Sequence, residues 1–349
     1  LEYFEGVGLM KALLLAGGKG TRLYPLTHSI PKPMVPVLNK PLLERTIEYI
    51  KDYGIDEIVM SLCYQPEQIM NYFGDGSNYG VKIHYCIEKN PLGTGGAIKN
   101  AEKYLDGTSL IFNSDIITDI DLQKLIDYHR NMRARVTIAL TRVSNPSAYG
   151  LVETDGSGWI TAFKEKPKLE DVTTDFINAG IYVFEKDVLD FIKPNCEVSV
   201  EKEVYPGLLT QGVKMSAYKN DNYWIDIGTP HKYLELHHNM LDGAFSYPSM
   251  ETEYKNSILI DKSSYISPTA KLIPPITIGS NCHIAGDVVI GPHAVIGSGV
   301  SIDKGSYIKN SIIWEGCHIG RKTKLNNTIV GINCTIEDNK NVSHGVIAK

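Results

Sequence analysis

The sequence predicts an α/β protein in two parts: a mostly parallel sheet flanked by helices, then a parallel β-helix of hexapeptide repeats. Three observations predict it. Short apolar runs alternate with helical spacing from Met10 to Leu241. One aliphatic position recurs every six residues from Ile260 to Ile308. A glycine cluster, Gly17-Gly18-Lys19-Gly20, closes the first apolar run. The length, 349 residues, suits about two domains at roughly 150 residues each.

Residues 1–9 hold acids where a secretory signal would hold bases, and they read as an expression remnant ahead of Met10. Lys11–Leu15 is a short buried strand. Apolar residues at 42, 43, 46, 47 and 50 mark a helix over Pro41–Ile50, with Asn39 as candidate cap and Gly54 as stop. Strands follow at Glu57–Leu62, Val81–Ile87, Ser109–Phe112 and Arg135–Thr141. Helices separate them at Pro66–Phe73 (closed by Gly74), Thr94–Leu105 and Leu122–Met132. This alternation implies βαβ units and a Rossmann-like sheet covered on both faces. Ligands of such sheets bind beyond the carboxyl ends of the strands. The loops after Leu15, Ile87 and Phe112 are therefore the candidate sites.

The tail obeys another period. Ile260, Ile266, Leu272, Ile278, Ile284, Ile290, Ile296, Ile302 and Ile308 are six apart, and small or β-branched residues follow four positions after most of them. Six suits neither a helix nor an alternating strand. It suits a β-helix whose aliphatic side chains stack from coil to coil, at about 18 residues per three-sided coil. After Ile308 the register slips by one and resumes at Ile313, Ile319 and Leu325. The domains are thus expected at 10–241 and 258–349, joined by a polar linker at 242–257. Flat coil faces and an open end invite packing. The tail is expected to build a homo-oligomer.

Composition narrows the class. Acids outnumber bases 40 to 35, a net charge of −5, which argues against nucleic acid as partner. No apolar run reaches the roughly 18–20 residues that span a bilayer, so no membrane role is expected. The six cysteines form no CxxC pair, which suggests buried thiols in a reducing cytoplasm rather than zinc or disulfides.

The loop Ala16-Gly17-Gly18-Lys19-Gly20-Thr21-Arg22-Leu23 is neither a P-loop nor GxGxxG. Glycines after a strand still let backbone N–H groups approach phosphate oxygens. Lys19, Arg22 and Lys32 supply cationic company, and Pro31 and Pro33 bias the backbone around Lys32 away from helix. The set suits a polyphosphate.

These residues, with Pro91-Leu92-Gly93-Thr94-Gly95-Gly96-Ala97, Asn113-Ser114-Asp115, Phe163-Lys164-Glu165-Lys166-Pro167, Ile177-Asn178-Ala179-Gly180-Ile181-Tyr182, Ser199-Val200-Glu201-Lys202-Glu203 and Trp224-Ile225-Asp226-Ile227-Gly228-Thr229, resemble the sugar-1-phosphate nucleotidyltransferases. The likeness is strongest to the mannose-1-phosphate guanylyltransferases. It implies a left-handed β-helix and a reaction in which a sugar-1-phosphate oxygen attacks the α-phosphorus of a nucleoside triphosphate and expels pyrophosphate. It places Arg22 at the leaving phosphates, Lys32 near the α-phosphate and Lys166 on the sugar phosphate. Leu15, Ala16, Gly17, Gly18, Lys19, Gly20, Thr21, Glu88, Pro91, Gly93 and Thr94 would surround the nucleotide. Gly150, Glu165, Asn178 and Gly180 would line the sugar. Asp115 and Asp226 would hold Mg²⁺, which one or two carboxylates plus substrate phosphates can bind.

Glu88 stands where thymidylyl and uridylyl relatives carry a glutamine. A carboxylate can accept the adjacent N1–H and N2–H of guanine, so GTP is the expected nucleotide. Three rivals stay open: a glucose-1-phosphate thymidylyl-, adenylyl- or uridylyltransferase; an acyltransferase using His283, His293 or His318; and a regulatory subunit that senses a nucleotide sugar.

Overall fold

The structure, a computed structural model, describes residues 10–245 and 254–349. Residues 1–9 and the middle of the expected linker lie outside the described residues. The chain gathers into two compact units. The first holds residues up to Gly18 and Thr46–Trp224; the second holds Lys19–Arg45 and Ile225–Lys349.

The first unit is built on a nine-stranded sheet. Its strands are β1 (Lys11–Leu15), β2 (Glu57–Leu62), β3 (Lys82–Ile87), β4 (Ser109–Asn113), β5 (Val136–Arg142), β6 (Gly150–Thr154), β7 (Ile160–Glu165), β8 (Phe176–Phe184) and β9 (Met215–Lys219). The run β3-β2-β1-β4 is parallel, with Leu13 between Val59 and Ile111. Each of these three side chains is fully buried, because both faces of the central strands are covered. Beyond β4 the sheet is mixed. β8 runs antiparallel to β4, β5 and β6, and β7 pairs antiparallel with β6. The strand predicted at Arg135–Thr141, β5, points the same way as β4 but is not hydrogen-bonded to it. β8 sits between β4 and β5 in the opposite direction, and β9 extends β5 in parallel.

Helices Pro66–Phe73 and Leu122–Met132 fall where the periodicity places them. Gly74 ends the first, its N–H bonded to Met70 O. The Asp121 carboxylate caps the second by accepting Lys124 N–H at 3.0 Å. The helix expected over Thr94–Leu105 stops at Asn100 and continues as a 3-10 turn, Glu102–Tyr104. The Ala101 N–H is shared between Ala97 O and Ile98 O, and this tightens the last turn. Asn39 does not cap the helix at Leu42–Lys51. Its backbone is left-handed (φ 65°), and its side-chain amide donates to Ile296 O at 2.9 Å.

In the second unit the hexapeptide period becomes three parallel ladders of short strands. Ile258–Ile260, Tyr265–Ile266 and Lys271–Leu272 begin them, and each pairs with the strand 18 residues later. From Ile296 onward the offset is 17: Ile296 pairs with Ile313, and Ile302 with Ile319. The slip read in the sequence is thus repeated once per coil. Ile284, Ile290, Ile296, Ile302, Ile308 and Ile313 are all fully buried along the axis. Burying such a side chain contributes about 1.5–3 kcal/mol, and it is this stacking that holds the short strands in place. The architecture is consistent with the left-handed β-helix of the resembled family.

Lys19–Arg45 belongs to this unit through a small buried network. Leu38 N–H donates to His237 Nε2 at 3.2 Å, and His237 Nδ1 meets Tyr233 O at 2.8 Å. Tyr233 Oη bonds Pro36 O and accepts Trp314 Nε1–H at 3.0 Å. Helix Pro230–Leu241, which carries Tyr233 and His237, is capped by Thr229 and opened by Pro230.

Candidate functional site

The expected site residues divide between the two units. In the first, the glycine loop starts at the carboxyl end of β1. Ala16 N–H donates to Ser61 O at 2.9 Å, and Ser114 ties the next strand end to the loop, its hydroxyl donating to Leu15 O at 2.8 Å. Asp115, half-buried, follows this anchored serine. Gly18 is open: a Cβ there would meet nothing within 4 Å. Gly17 is not, since a Cβ would stand 3.2 Å from Glu88 Oε1 and from Cys63 Cβ.

Glu88 is 7% exposed, and both of its oxygens are held. Ser61 Oγ donates to Oε1 and Leu92 N–H to Oε2, each at 2.9 Å. The carboxylate therefore closes the Glu88–Leu92 loop beneath Gly17. A carboxylate offers about four lone-pair sites, so two remain for a ligand. Pro91 is exposed on this loop, and Gly93 opens helix Gly93–Asn100. Thr94 is occupied internally: its hydroxyl donates to Glu201 Oε2 and accepts Val200 N–H, both at 2.9 Å.

The Lys164-Glu165-Lys166 segment ends β7. Glu165 lies beside Gly150, where a Cβ would meet Glu165 Oε2 at 2.8 Å and Phe163 Cζ at 2.7 Å. Burial and then the nearby Glu201 carboxylate push the Glu165 acid up from its ordinary value, against the pull of Lys166 and Lys202. Lys166 adopts φ 47°, uncommon for a side-chain-bearing residue, and keeps its ammonium largely in solvent. Asn178 is engaged within β8, accepting Gly180 N–H at 2.8 Å and donating to Tyr182 Oη at 2.9 Å. Gly180 (φ 72°) must be glycine, because a Cβ would strike Ile116 at 2.4 Å and Asn113 at 2.7 Å. Gly150 and Gly180 thus make room for this chain's own side chains.

The second unit carries the cations and a carboxylate. Lys19 and Arg22 are exposed, with Arg22 in the 3-10 turn Thr21–Leu23. Thr27 Oγ donates to Gly20 O at 2.8 Å and folds the loop back. Lys32 is 9% exposed, and a Cβ on Gly20 would meet its Cβ at 2.8 Å. The two prolines do not keep Lys32 out of helix as expected. Pro31 serves as the extended cap of a single 3-10 turn, Lys32–Met34, whose first positions need no donor from Pro33. Asp226 is 8% exposed. A Cβ at Gly228 would stand 2.8 Å from Asp226 Oδ2 and 3.3 Å from Arg22 Nη1, so this glycine keeps acid and guanidinium together. Asp226 Oδ1 already holds a cation, the Lys232 ammonium. A buried carboxylate that already seats a cation on one oxygen, with a glycine beside the other, is the type of donor that holds a divalent ion.

The nucleotidyl transferase family profile matches residues 11–243, more than half of the chain.

The chain belongs to the nucleotidyl transferase family.

Residues 272–349 of this nucleotidyl transferase match the GMPPB C-terminal domain. The chain is 40% identical over 312 residues to the mannose-1-phosphate guanylyltransferase of Mycobacterium tuberculosis, covering 89% of this chain and 83% of that protein. It is 33% identical over 339 residues to the UTP–glucose-1-phosphate uridylyltransferase of Synechocystis, covering 92% and 87%. Among solved structures it is similar to HddC from Yersinia pseudotuberculosis complexed with GMP-PN. That match has a TM-score of 0.57 and 32% identity, and covers 65% of this chain and 98% of that one. Enzymes of this family generally use a divalent metal.

Among the described residues no helix is long and apolar enough to cross a membrane, and no cluster of three His, Cys, Asp or Glu could hold a metal. Four thiols are buried, whereas Cys196 is exposed. The tail histidines are engaged: His293 with Asp242, His318 with Ser301 and Asp303, His283 stacked on Tyr265. Sequence reasoning missed Ser61, Lys232 and the role of Glu201. Glu201 was visible in a motif, but its bond to Thr94 spans 107 positions and leaves no local trace.

Proposed function

We propose that this nucleotidyl transferase joins GTP to mannose 1-phosphate, giving GDP-mannose and pyrophosphate. A sugar-phosphate oxygen forms the new bond to the α-phosphorus, the α–β bridging bond breaks, and the electron pair leaves with pyrophosphate. Two polyanions must meet, so neutralisation and positioning carry the rate. Lys19 and Arg22 receive the departing phosphates, Lys32 the α-phosphate and Lys166 the sugar phosphate. Leu15, Ala16, Gly17, Gly18, Gly20, Thr21, Pro91, Gly93 and Thr94 shape the nucleotide's surroundings. Glu165 and Asn178, with the room kept by Gly150 and Gly180, face the sugar. Asp115 and Asp226 hold Mg²⁺, which when bound neutralises phosphate charge. The observation that carries the choice of base is Glu88, an acid held beneath Gly17 with lone pairs to spare.

A second reading, uridylyl transfer to glucose 1-phosphate, draws on the Synechocystis relative. Pyrophosphate release with GTP, UTP, dTTP and ATP against mannose and glucose 1-phosphates in Mg²⁺ separates the two. A preference for UTP or dTTP overturns the role given to Glu88. We place the enzyme in the cytoplasm, where unpaired cysteines are stable. We also propose a homo-oligomer. Among the described residues the first coil pairs on one side only and exposes Ile258, Ile260, Tyr265 and Ile273, an edge that a second copy can cover. Light scattering that finds a monomer at micromolar concentration refutes this.

A further inference from the structure

Lys232 has no part in the reaction as assigned above, yet the fold aims it with care. Thr229 caps helix Pro230–Leu241 by accepting Lys232 N–H at 3.4 Å, and Pro230 fixes the first turn. That turn carries the Lys232 ammonium onto Asp226 Oδ1. The other oxygen, Oδ2, lies where Gly228 leaves space beside Arg22. Asp226 is buried, and a buried carboxylate needs a counter-charge. Lys232 supplies it from within the same unit.

We propose that Lys232 is an internal counter-ion that holds Asp226 in the resting protein and must be displaced from it when the divalent metal binds. The proposal rests on the reading of Asp226 as a metal carboxylate. A divalent cation seated on Oδ2 would face the Lys232 ammonium across one small carboxylate, and the repulsion between the two positive charges drives the ammonium off. Lys232 therefore weakens binding of free metal and leaves the carboxylate for a metal that also has substrate phosphates to bind. Once displaced, its amine is released from the ion pair. Lys232 is thus a positioning residue for the metal site.

The test uses the full chain and Mn²⁺ alone. Manganese binding without nucleotide is titrated by electron paramagnetic resonance in the wild type, Lys232→Met, Lys232→Arg and Asp226→Asn, with circular dichroism melts to check folding. Lys232→Met should bind Mn²⁺ about tenfold more tightly, the size of one lost charge-assisted pair. Lys232→Arg should not bind more tightly than wild type, and Asp226→Asn should lose the site. A second readout needs no Lys232 variant. Acetylation of the Lys232 amine by an N-hydroxysuccinimide ester, read by peptide mass spectrometry, should rise several-fold with Mn²⁺ in wild type and be unaffected by Mn²⁺ in Asp226→Asn. Unchanged or weaker Mn²⁺ binding by Lys232→Met, while Asp226→Asn still loses the site, overturns the counter-ion and leaves the metal reading intact. Lys232 labelling that Mn²⁺ does not alter, in a wild type that binds Mn²⁺ through Asp226, does the same. Mn²⁺ binding that Asp226→Asn leaves unchanged, or that neither wild type nor Lys232→Met shows, overturns both.

Discussion

Replacing Glu88 with glutamine separates the loop closure it performs from the base reading proposed for it. The carboxylate closes its loop through Ser61 and Leu92, each at 2.9 Å. A glutamine can keep that closure, with its carbonyl accepting Leu92 N–H and its amide donating to the serine hydroxyl, which is able to turn. The fold should then lose only about 1 kcal/mol, the difference between charged and neutral hydrogen bonds. The guanine edge fares worse, because two donors face a group with one acceptor and one donor. Losing that charge-assisted pair costs about 2–4 kcal/mol, or ~30–1,000-fold in kcat/KM for GTP. UTP, whose edge offers one donor flanked by acceptors, should be spared or favoured. The assay is pyrophosphate release with both nucleotides for wild type and Glu88→Gln, alongside a melting curve. A GTP-to-UTP ratio that stays the same while both rates fall would refute the reasoning and reduce Glu88 to a loop clasp.

Four other outcomes are expected. Burial holds the His237 imidazole down at about 3, with Leu38 N–H donating to Nε2. A histidine that stays neutral in the fold stabilises it above pH 6.5 and loses that contribution as pH falls towards 3. Denaturant titrations should therefore show about 2 kcal/mol less stability at pH 5 than at pH 7 from this group, and a flatter profile in His237→Gln. Tyr233→Phe strips partners from Trp314 Nε1 and Pro36 O in a buried network and should cost about 2–4 kcal/mol; an unchanged denaturation midpoint would count against the network. Gly228→Ala puts a methyl 2.8 Å from Asp226 Oδ2, so kcat should fall on the order of tenfold or more with little change in melting temperature. Ile302→Ala empties a fully buried rung of the β-helix and should cost about 2–5 kcal/mol by calorimetry.

Local physics made part of this molecule legible in its residues. The strands at Glu57–Leu62 and Lys11–Leu15 and the helices at Pro66–Phe73 and Leu122–Met132 announce themselves through period, caps and glycine stops. The β-helix is clearer still, because each coil repeats one demand, an aliphatic side chain at the axis. Pairing order is different. Nothing around Phe176–Phe184 says that this strand runs antiparallel between β4 and β5, since direction is set by partners that lie far along the chain. Asn39 has the chemistry of a helix cap, but a carbonyl 257 residues away claims its amide. In the candidate site, glycine loops and acids were visible as types. Their couplings were not: Thr94 with Glu201, Glu88 with Ser61 and Asp226 with Lys232 are tertiary facts. Several side chains read as ligands thus also serve as braces for one another.

The membership of Lys19–Arg45 in the second unit bears on how the chain comes off the ribosome. Pro36 and Asn39 emerge long before the residues that bond them: Tyr233 lies 197 positions after Pro36, Ile296 lies 257 after Asn39, and Trp314, which bonds Tyr233, comes later still. At about 5–20 residues per second, some 270 residues of synthesis separate Arg45 from Trp314, a delay of roughly 13–54 s. During that interval the Lys19–Arg45 segment has no finished bed to settle on. A ribosome stalled before Ile296 should therefore display a nascent chain whose Lys19–Arg45 segment is open to protease, and synthesis through Trp314 should close it.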